Sequence, residues 1–245
     1  MIGMSQYQAR KACGNFGTLE MTGNWLVAFI VGRAPVRETT FHRESCSTSL
    51  IHRICRSCLQ CNARASKDEE YFACLIECAR VGSVSEETLE REKIKQVLRE
   101  KPLLSSKLDK ARRVSFFGHT SFSIDGERVR GVVVKLARGH AAFELNEPQY
   151  DEPSSVTFVP LCSIEEHRLS RFEEPPPLAV WPEVGSHAMQ RLLVCTSDTP
   201  GLNFIAAEWI VVQPDRYRYL VRADAGTIVR IVVREYLACE VIWNY

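Results

Sequence analysis

Cys58-Leu59-Gln60-Cys61 is the one local pattern in this chain with metal-ligand spacing, and Asn62 follows it directly. A C-x-x-C knuckle lets two thiolates reach one tetrahedral zinc. Two thiolates are half of a site, so the pattern leaves two readings open: part of a zinc knuckle, or incidental cysteines. Cys46 and Cys55 lie in the same short basic stretch, with His42 and His52 as further donors. Two C-x-x-C steps that share Cys58 crowd one metal, however, and the usual loop between ligand pairs is missing.

Other residues have chemistry in their type and a plainer reading beside it. His140, between Gly139 and Ala141, can be a phosphate-contacting or supporting catalytic residue, or a satisfied half-buried histidine. Lys107, Lys110, Arg112 and Arg113 form the best local basic patch, suited to phosphate contact or to a solvated helix face. Asp68, Glu69 and Glu70 can lend a carboxylate to a metal near Asn62, or simply favour the first turn of a helix. Trp209, Tyr217, Tyr219, Tyr236 and Trp243 can stack bases or pack a sheet.

The composition limits what these residues can serve. With 245 residues, 45% hydrophobic and 25% charged, the chain is that of a globular protein of one or two domains, which excludes wholly disordered and fibrous classes. Thirty-one Lys+Arg against thirty Asp+Glu leave a formal charge of +1, so any DNA contact must come from a local patch. The longest apolar run, Trp25 to Gly32, is far short of the roughly 20 residues of a membrane helix. Nothing after it resembles a signal cleavage site, so the expectation is a cytoplasmic protein with no membrane partner. Ten cysteines are too few for a disulfide scaffold of this length. Cys74, Cys78, Cys162, Cys195 and Cys239 lie among apolar neighbours and are expected in packed core.

The elements that must position the knuckle begin after it. Residues 1–57 show neither helical nor strand periodicity. Ser66-Lys67-Asp68-Glu69 reads as a capping box, predicting a helix from about Lys67 to Arg80 with Tyr71, Cys74, Leu75 and Cys78 on one face and Gly82 as terminator. A second helix is expected from Ser85, with Leu89, Ile94, Val97 and Leu98 inward, stopped near Pro102. A short basic helix to about Arg113 follows. Val129, Val132, Val133, Leu136 and Phe143 repeat at three and four and predict a helix between Glu127 and Leu145. Beyond Pro148 the signal switches to short β-branched and aromatic runs: Val156 to Val159, Arg191 to Thr196, Tyr217 to Arg222, Thr227 to Val233 and Leu237 to Trp243. The turn-like Asp224-Ala225-Gly226 makes the last three an expected antiparallel meander. Glu173 to Pro177 is a Pro-rich connector.

The stretch CLQCNARASKDEEYFACLIE, from Cys58 through Glu77, together with VVVKLARGHAAFEL, DRYRYLV and VRIVVREYLACEVIW, resembles a largely uncharacterised family of bacterial HNH-endonuclease-like proteins. The resemblance spans about the last three quarters of the chain. In that family a first C-x-x-C precedes an R-D-H-[IV]-P-P segment and a Pro-rich loop, followed by C-x-x-C-N and a helix beginning S-x-D-E-E. The resemblance implies a metal-dependent nuclease acting on DNA, with an Mg or Mn ion at the reaction site and a structural Zn. It assigns Cys58 and Cys61 to half of the zinc site and Asn62 to the catalytic metal. Taken with the helical and strand-like runs above, the expectation is an α+β fold in which the HNH-like remnant leads into a helical region over 58–145, followed by a mostly antiparallel β-rich half over 146–245.

The chain departs from the family where catalysis belongs. No separate C-x-x-C and no Asp-His occur before Cys58. An HNH site needs an imidazole to activate water and further ligands for the divalent metal, so the chain as written is expected to be inactive. A shifted reading frame can hold the missing motif. Joining the last base of each codon to the first two of the next, with free synonymous choice, lets Val27 to Gly32 encode C-[FLIV]-Y-C-G and Arg37 to Arg43 encode R-D-H-I-P-P. Arg43 to Leu59 then permits R-V-L-L-D-K-P-Y-P-P-D-L-P-V-V-P. Residues 1–57 therefore read as an out-of-frame translation, with the family frame restored at about Cys58. The competing readings are a non-catalytic α+β interaction protein, whose nearly balanced charge suits it better than a nucleic-acid grip does, and a zinc-binding module that uses the literal cysteines.

Overall fold

The structure is a computed structural model that describes residues 59–116, 119–174, 178, 181–191, 193–196, 203–223 and 225–244, and of 59–65, 193–196 and 203–206 only the backbone course. It is an α+β fold: a layer of helices covers one face of a five-stranded antiparallel sheet in the C-terminal half.

Helix α1 runs from Leu59 to Val81. It begins some seven residues before the capping box, and Ser66 is an exposed interior residue of the helix. No Gly or Pro interrupts the chain between Leu59 and Ser66. Extending an existing helix costs far less than nucleating one, so the serine caps nothing. The predicted face is the buried one, with Tyr71, Cys74, Leu75 and Cys78 all in the core. Gly82 ends the helix in the left-handed region (φ 72°), where the Ser83 N–H reaches back to the Cys78 carbonyl at 3.1 Å.

The expected helix from Ser85 starts later. Ser85 closes a turn, accepting from the Thr88 N–H at 3.1 Å, and α2 runs only from Glu92 to Glu100. The cause is tertiary: buried Glu77 accepts the Glu90 and Arg91 N–H groups at 3.0 and 3.1 Å, which holds that segment extended. Pro102 opens α3 (Pro102–Ala111), which stops before Arg112. Arg112–Val114 (β1) then pairs with Thr120–Phe122 (β2) in a small hairpin, so Arg113 lies on a strand and not on the basic helix.

The long α4 (Gly126–Leu145) matches its periodicity, burying Val129, Val132 and Val133, with Asn146 in a left-handed cap. Phe143 is the exception. It is 53% exposed and stacks on His187, while Ala137, Ala141 and Leu145 complete the buried stripe.

The main sheet has the order β3-β9-β8-β7-β6, built from Ser155–Pro160 (β3), Ile210–Gln213 (β6), Tyr217–Ala223 (β7), Gly226–Val233 (β8) and Leu237–Asn244 (β9). Leu193–Thr196 (β4) and Asn203–Ala206 (β5) pair separately. The last three strands of the main sheet form the expected meander. Gly226 sits at φ 145°, and a Cβ there would lie 2.0 Å from the Trp243 carbonyl, so only glycine fits. Alternation assigns the faces. Tyr217, Tyr219, Val229, Ile231, Cys239, Val241 and Trp243 pack beneath α1 and α4 in one core cluster, which joins residues on both sides of position 145.

The opposite face carries Leu161, Val232 and Ala238, covered by Leu169 and Phe172 of α5 (Glu166–Glu173). Arg218 donates to Glu173 through both terminal nitrogens (2.6 and 2.7 Å) and to Glu235 through Nε at 2.8 Å, and lies 4.5 Å above the Trp209 ring. Arg230 donates to the Arg171 and Phe172 carbonyls, closing the last turn of α5. Cys162 is exposed, contrary to expectation, because the short turn at Leu161–Ser163 sends Leu161 inward and its neighbour out. Cys195 lies on β4, where only the backbone is described.

Candidate functional site

The three residues assigned to the metal pocket fall at the edge of the described body. Cys58 lies outside the described residues. Cys61 and Asn62 lie on the first turn of α1, and their side chains are outside the described residues too. The turns that follow are firmly held. Arg128 of α4 donates to Asp68 at 2.5 Å and to the Lys67 carbonyl at 3.0 Å, and stacks over the Tyr71 ring. Tyr71 Oη accepts the Asp125 N–H at 3.1 Å. Glu69 meets Lys135 at 2.6 Å, and Glu70 meets Lys101 at 2.7 Å.

Asp68, Glu69 and Glu70 therefore lie in the third and fourth turns of α1, in ion pairs within the helical layer. The first-turn dipole reading is overturned, because the helix starts earlier. His42, His52, Cys46 and Cys55 lie outside the described residues. Among the described residues no group of three or more His, Cys, Asp or Glu side chains is placed to hold a metal.

The most enzyme-like cluster lies between α4 and the sheet. His140 is half-buried, its ring stacked on Tyr219 with centroids 3.7 Å apart, and its Nε2 is hydrogen-bonded to Tyr217 Oη. Tyr219 Oη donates to Glu144 Oε1 at 2.6 Å, and Arg191 donates to Glu144 Oε2 at 2.7 Å. Glu144, in the buried stripe of a helix, is a site residue that local sequence reasoning misses. Its partners lie 75 and 47 positions away in the chain, and only the unusual carboxylate on an apolar face hints at it.

Electrostatics disarms the cluster. Burial pushes the His140 imidazole down to about 3, so it is neutral at pH 7. Burial pushes both tyrosines up, Tyr217 far above the ordinary range and Tyr219 with help from Glu144, and raises Cys239 as well. Neither His140 nor either tyrosine stands near the proton affinity that general acid–base work at neutral pH needs. The adjoining cavity, lined by Glu144, Ala188, Arg191, Glu208 and Arg222 among others, measures about 20 Å³. That is room for one water and far below the size of a substrate pocket. His140 thus has the plainer of its two roles.

The remaining candidates divide. Tyr217, Tyr219, Tyr236 and Trp243 are buried as sheet packing, and Trp209 donates to the Glu173 carbonyl at 2.9 Å, so none offers a free face to a base. In the basic patch, Lys107 pairs with Asp125 at 3.1 Å and Arg112 approaches Asp109 at 3.9 Å. Lys110 and Arg113 are exposed. Cys74 and Cys78 are inert thiols, since burial raises both, Cys74 to about 12.

No family model, curated protein or solved structure matches the chain. Among the described residues no helix is long and apolar enough to cross a membrane.

Proposed function

We propose that the chain is, by descent, an HNH-like metal-dependent endonuclease acting on DNA, and that it is catalytically inert as written. The observation that carries this reading is the backbone position of Cys61 and Asn62 on the first turn of a long helix whose later turns are clamped to α4. A helix start is where thiolates gain most, because its free N–H groups and dipole favour negative charge. Cys58 and Cys61 would hold zinc there, and Asn62 would help hold an Mg²⁺-class ion.

The donors do not complete either site. Zinc takes four ligands and the C-x-x-C supplies two, and Asn62 alone can neither bind the reaction metal fully nor take a proton from water. No step through a metal can be written on these residues. Residues 1–57 are, in this reading, the out-of-frame translation of the segment that carries the missing ligands and the general-base histidine. A cytoplasmic location and DNA as partner belong to the same proposal.

The test is a plasmid-nicking assay with Mg²⁺ or Mn²⁺ that compares this chain with a frame-corrected version, after sequencing codons 20 to 65 of the locus. Nicking by the corrected version alone supports the reading. A corrected version that binds zinc and never cuts ends it, as do codons at Arg37 to Arg43 that cannot spell the shifted histidine. A second reading, a non-catalytic interaction or zinc-binding body, is favoured by the disarmed His140 cluster and its one-water cavity. It predicts no nicking by either version. Its zinc form further predicts stoichiometric zinc in the literal chain, lost on Cys58→Ser.

A further inference from the structure

We propose that the end of the sheet beside the C-terminus of α1 binds a phosphate dianion, free or as a monoester, in a cradle of Arg80, Arg91, Arg216 and Arg234, with Glu90 as the side chain it displaces. The inference goes beyond the nuclease reading, since it needs neither a metal nor a restored frame.

Four separate segments bring the arginines together. Arg80 is in the last turn of α1, Arg91 immediately precedes α2, Arg216 lies in the turn between β6 and β7, and Arg234 lies in the turn between β8 and β9. The two turns touch, because the Arg234 N–H donates to the Arg216 carbonyl at 2.7 Å. Arg80 and Arg234 pair with the same Glu90 oxygen, the second of them at 3.3 Å. Behind them Glu77 is fully engaged: its Oε1 accepts the Glu90 and Arg91 N–H groups, and its Oε2 takes Arg234 at 3.1 Å. Arg216 is exposed and has no ion pair among the described residues.

The arginines outnumber their acids. Four guanidiniums against Glu77 and Glu90, the two acids that pair with them, leave a formal +2 in a chain of +1 overall. The buried Nε donors of Arg80 and Arg234 have no acceptor among the described residues, a costly state for a charged group. Burial first, and then the neighbouring cations, pull Arg91 and Arg234 below the ordinary guanidinium range, with Arg216 acting on Arg91, and Arg80 and Arg91 acting on Arg234. Glu90 is the movable acid. Its side chain is 58% exposed and covers guanidiniums that are 15% and 9% exposed, while its N–H stays tied to Glu77. Turning that side chain outward needs no backbone movement and leaves four guanidiniums facing one carboxylate, a formal +3. A phosphate dianion brings two charges and paired oxygens that match the guanidinium fork. A phosphodiester carries one charge, no more than the carboxylate it would have to displace.

The test is isothermal titration of the full chain with inorganic phosphate at about pH 8, where phosphate is mostly the dianion, beside thermal melting in phosphate, sulfate and chloride at matched ionic strength. Phosphate and sulfate should raise the melting midpoint and chloride should not. Phenyl phosphate binding as tightly as inorganic phosphate identifies the ligand as a monoester, and binding of inorganic phosphate alone identifies the free ion. Dimethyl phosphate should bind about tenfold more weakly. Arg216→Ala should weaken phosphate binding about tenfold and, because the side chain is exposed, leave the midpoint in chloride unmoved. Glu90→Gln should tighten binding about tenfold, since the anion then displaces no charge. Equal midpoints in phosphate and chloride overturn the proposal, as do parent-like binding by Arg216→Ala and unchanged or weaker binding by Glu90→Gln. A frame-corrected chain that never nicks leaves these measurements unchanged, and absent phosphate binding leaves the nicking assay unchanged.

Discussion

Lowering the pH from 7 to 5 should destabilise this protein through His140, and the size of the effect follows from where the ring sits. In the unfolded chain the imidazole titrates near 6.5. In the fold, burial against Tyr217 and Tyr219 pushes it down to about 3. Between those values the unfolded state binds a proton that the native state refuses, so stability is full above pH 6.5 and falls as the pH drops. The slope is about 1.4 kcal/mol per pH unit. At pH 5, one and a half units below the unfolded value, the loss is about 2 kcal/mol, a large share of the roughly 5–15 kcal/mol typical of a domain. The Glu90 carboxyl, held below its usual range by the Arg80 guanidinium, adds its own acid loss only under about pH 4.5, outside this window. Urea unfolding of the parent and of His140→Gln at pH 7, 6 and 5 isolates the term. Glutamine keeps a polar partner for Tyr217 but does not titrate. It gives up the stacking on Tyr219 and should cost about 1 kcal/mol at every pH. The parent's stability should meet the variant's near pH 6 and lie about 1 kcal/mol below it at pH 5. Parallel curves would refute the reasoning.

Three further outcomes follow from the same structure. Glu144→Ala leaves Tyr219 Oη and the half-exposed Arg191 without their shared acceptor, and should cost about 3 kcal/mol in urea unfolding; a loss under about 1 kcal/mol would mean the pair is replaceable by water. Gly226→Ala places a methyl against the Trp243 carbonyl at a backbone angle L-residues avoid, and should cost about 3 kcal/mol or more, read from the thermal midpoint. Brief native alkylation followed by peptide mass spectrometry should label Cys162 and spare Cys74, Cys78 and Cys239 until denaturant is added; early labelling of Cys239 would contradict its burial.

Periodicity made the long elements legible. Tyr71, Cys74, Leu75 and Cys78 face inward as their spacing requires, and the terminal meander follows from three β-branched runs and one glycine turn. The expectations that failed did so where distant residues decide local structure. The Ser85 helix is lost to Glu77, whose carboxylate holds the Glu90 and Arg91 N–H groups. The capping box at Ser66 is overridden because the helix is already running. Elements of three or four residues, such as β1 and β2, carry too little pattern to be read at all. In the candidate site, the local motif at Cys58–Asn62 was visible. Glu144 with Arg191, and Glu77 with Arg234 at 157 positions' separation, were not, since nothing local marks a salt bridge closed by the fold.

The turn between β8 and β9 explains why the interior charges are architectural. Arg234 and Glu235 both sit at positive φ (58° and 45°), a conformation that costs non-glycine residues about 1 kcal/mol or more each. Each side chain offsets its strain in a different layer. Arg234 reaches Glu77 of α1 at 3.1 Å and Glu90 at 3.3 Å, while Glu235 binds Arg218 on the opposite face of the sheet. One two-residue turn therefore fixes the helices and α5 to the same sheet register. Truncating either partner would strand a buried charge, which is why such pairs set geometry more than they add stability. Burial holds His140, Tyr217, Tyr219 and Cys239 neutral at pH 7, while Glu77 and Glu144 are each closed by an arginine from a distant part of the chain. Helix α1 packs on α4, and α4 packs on β7, β8 and β9, so the sheet holds the helical layer in place.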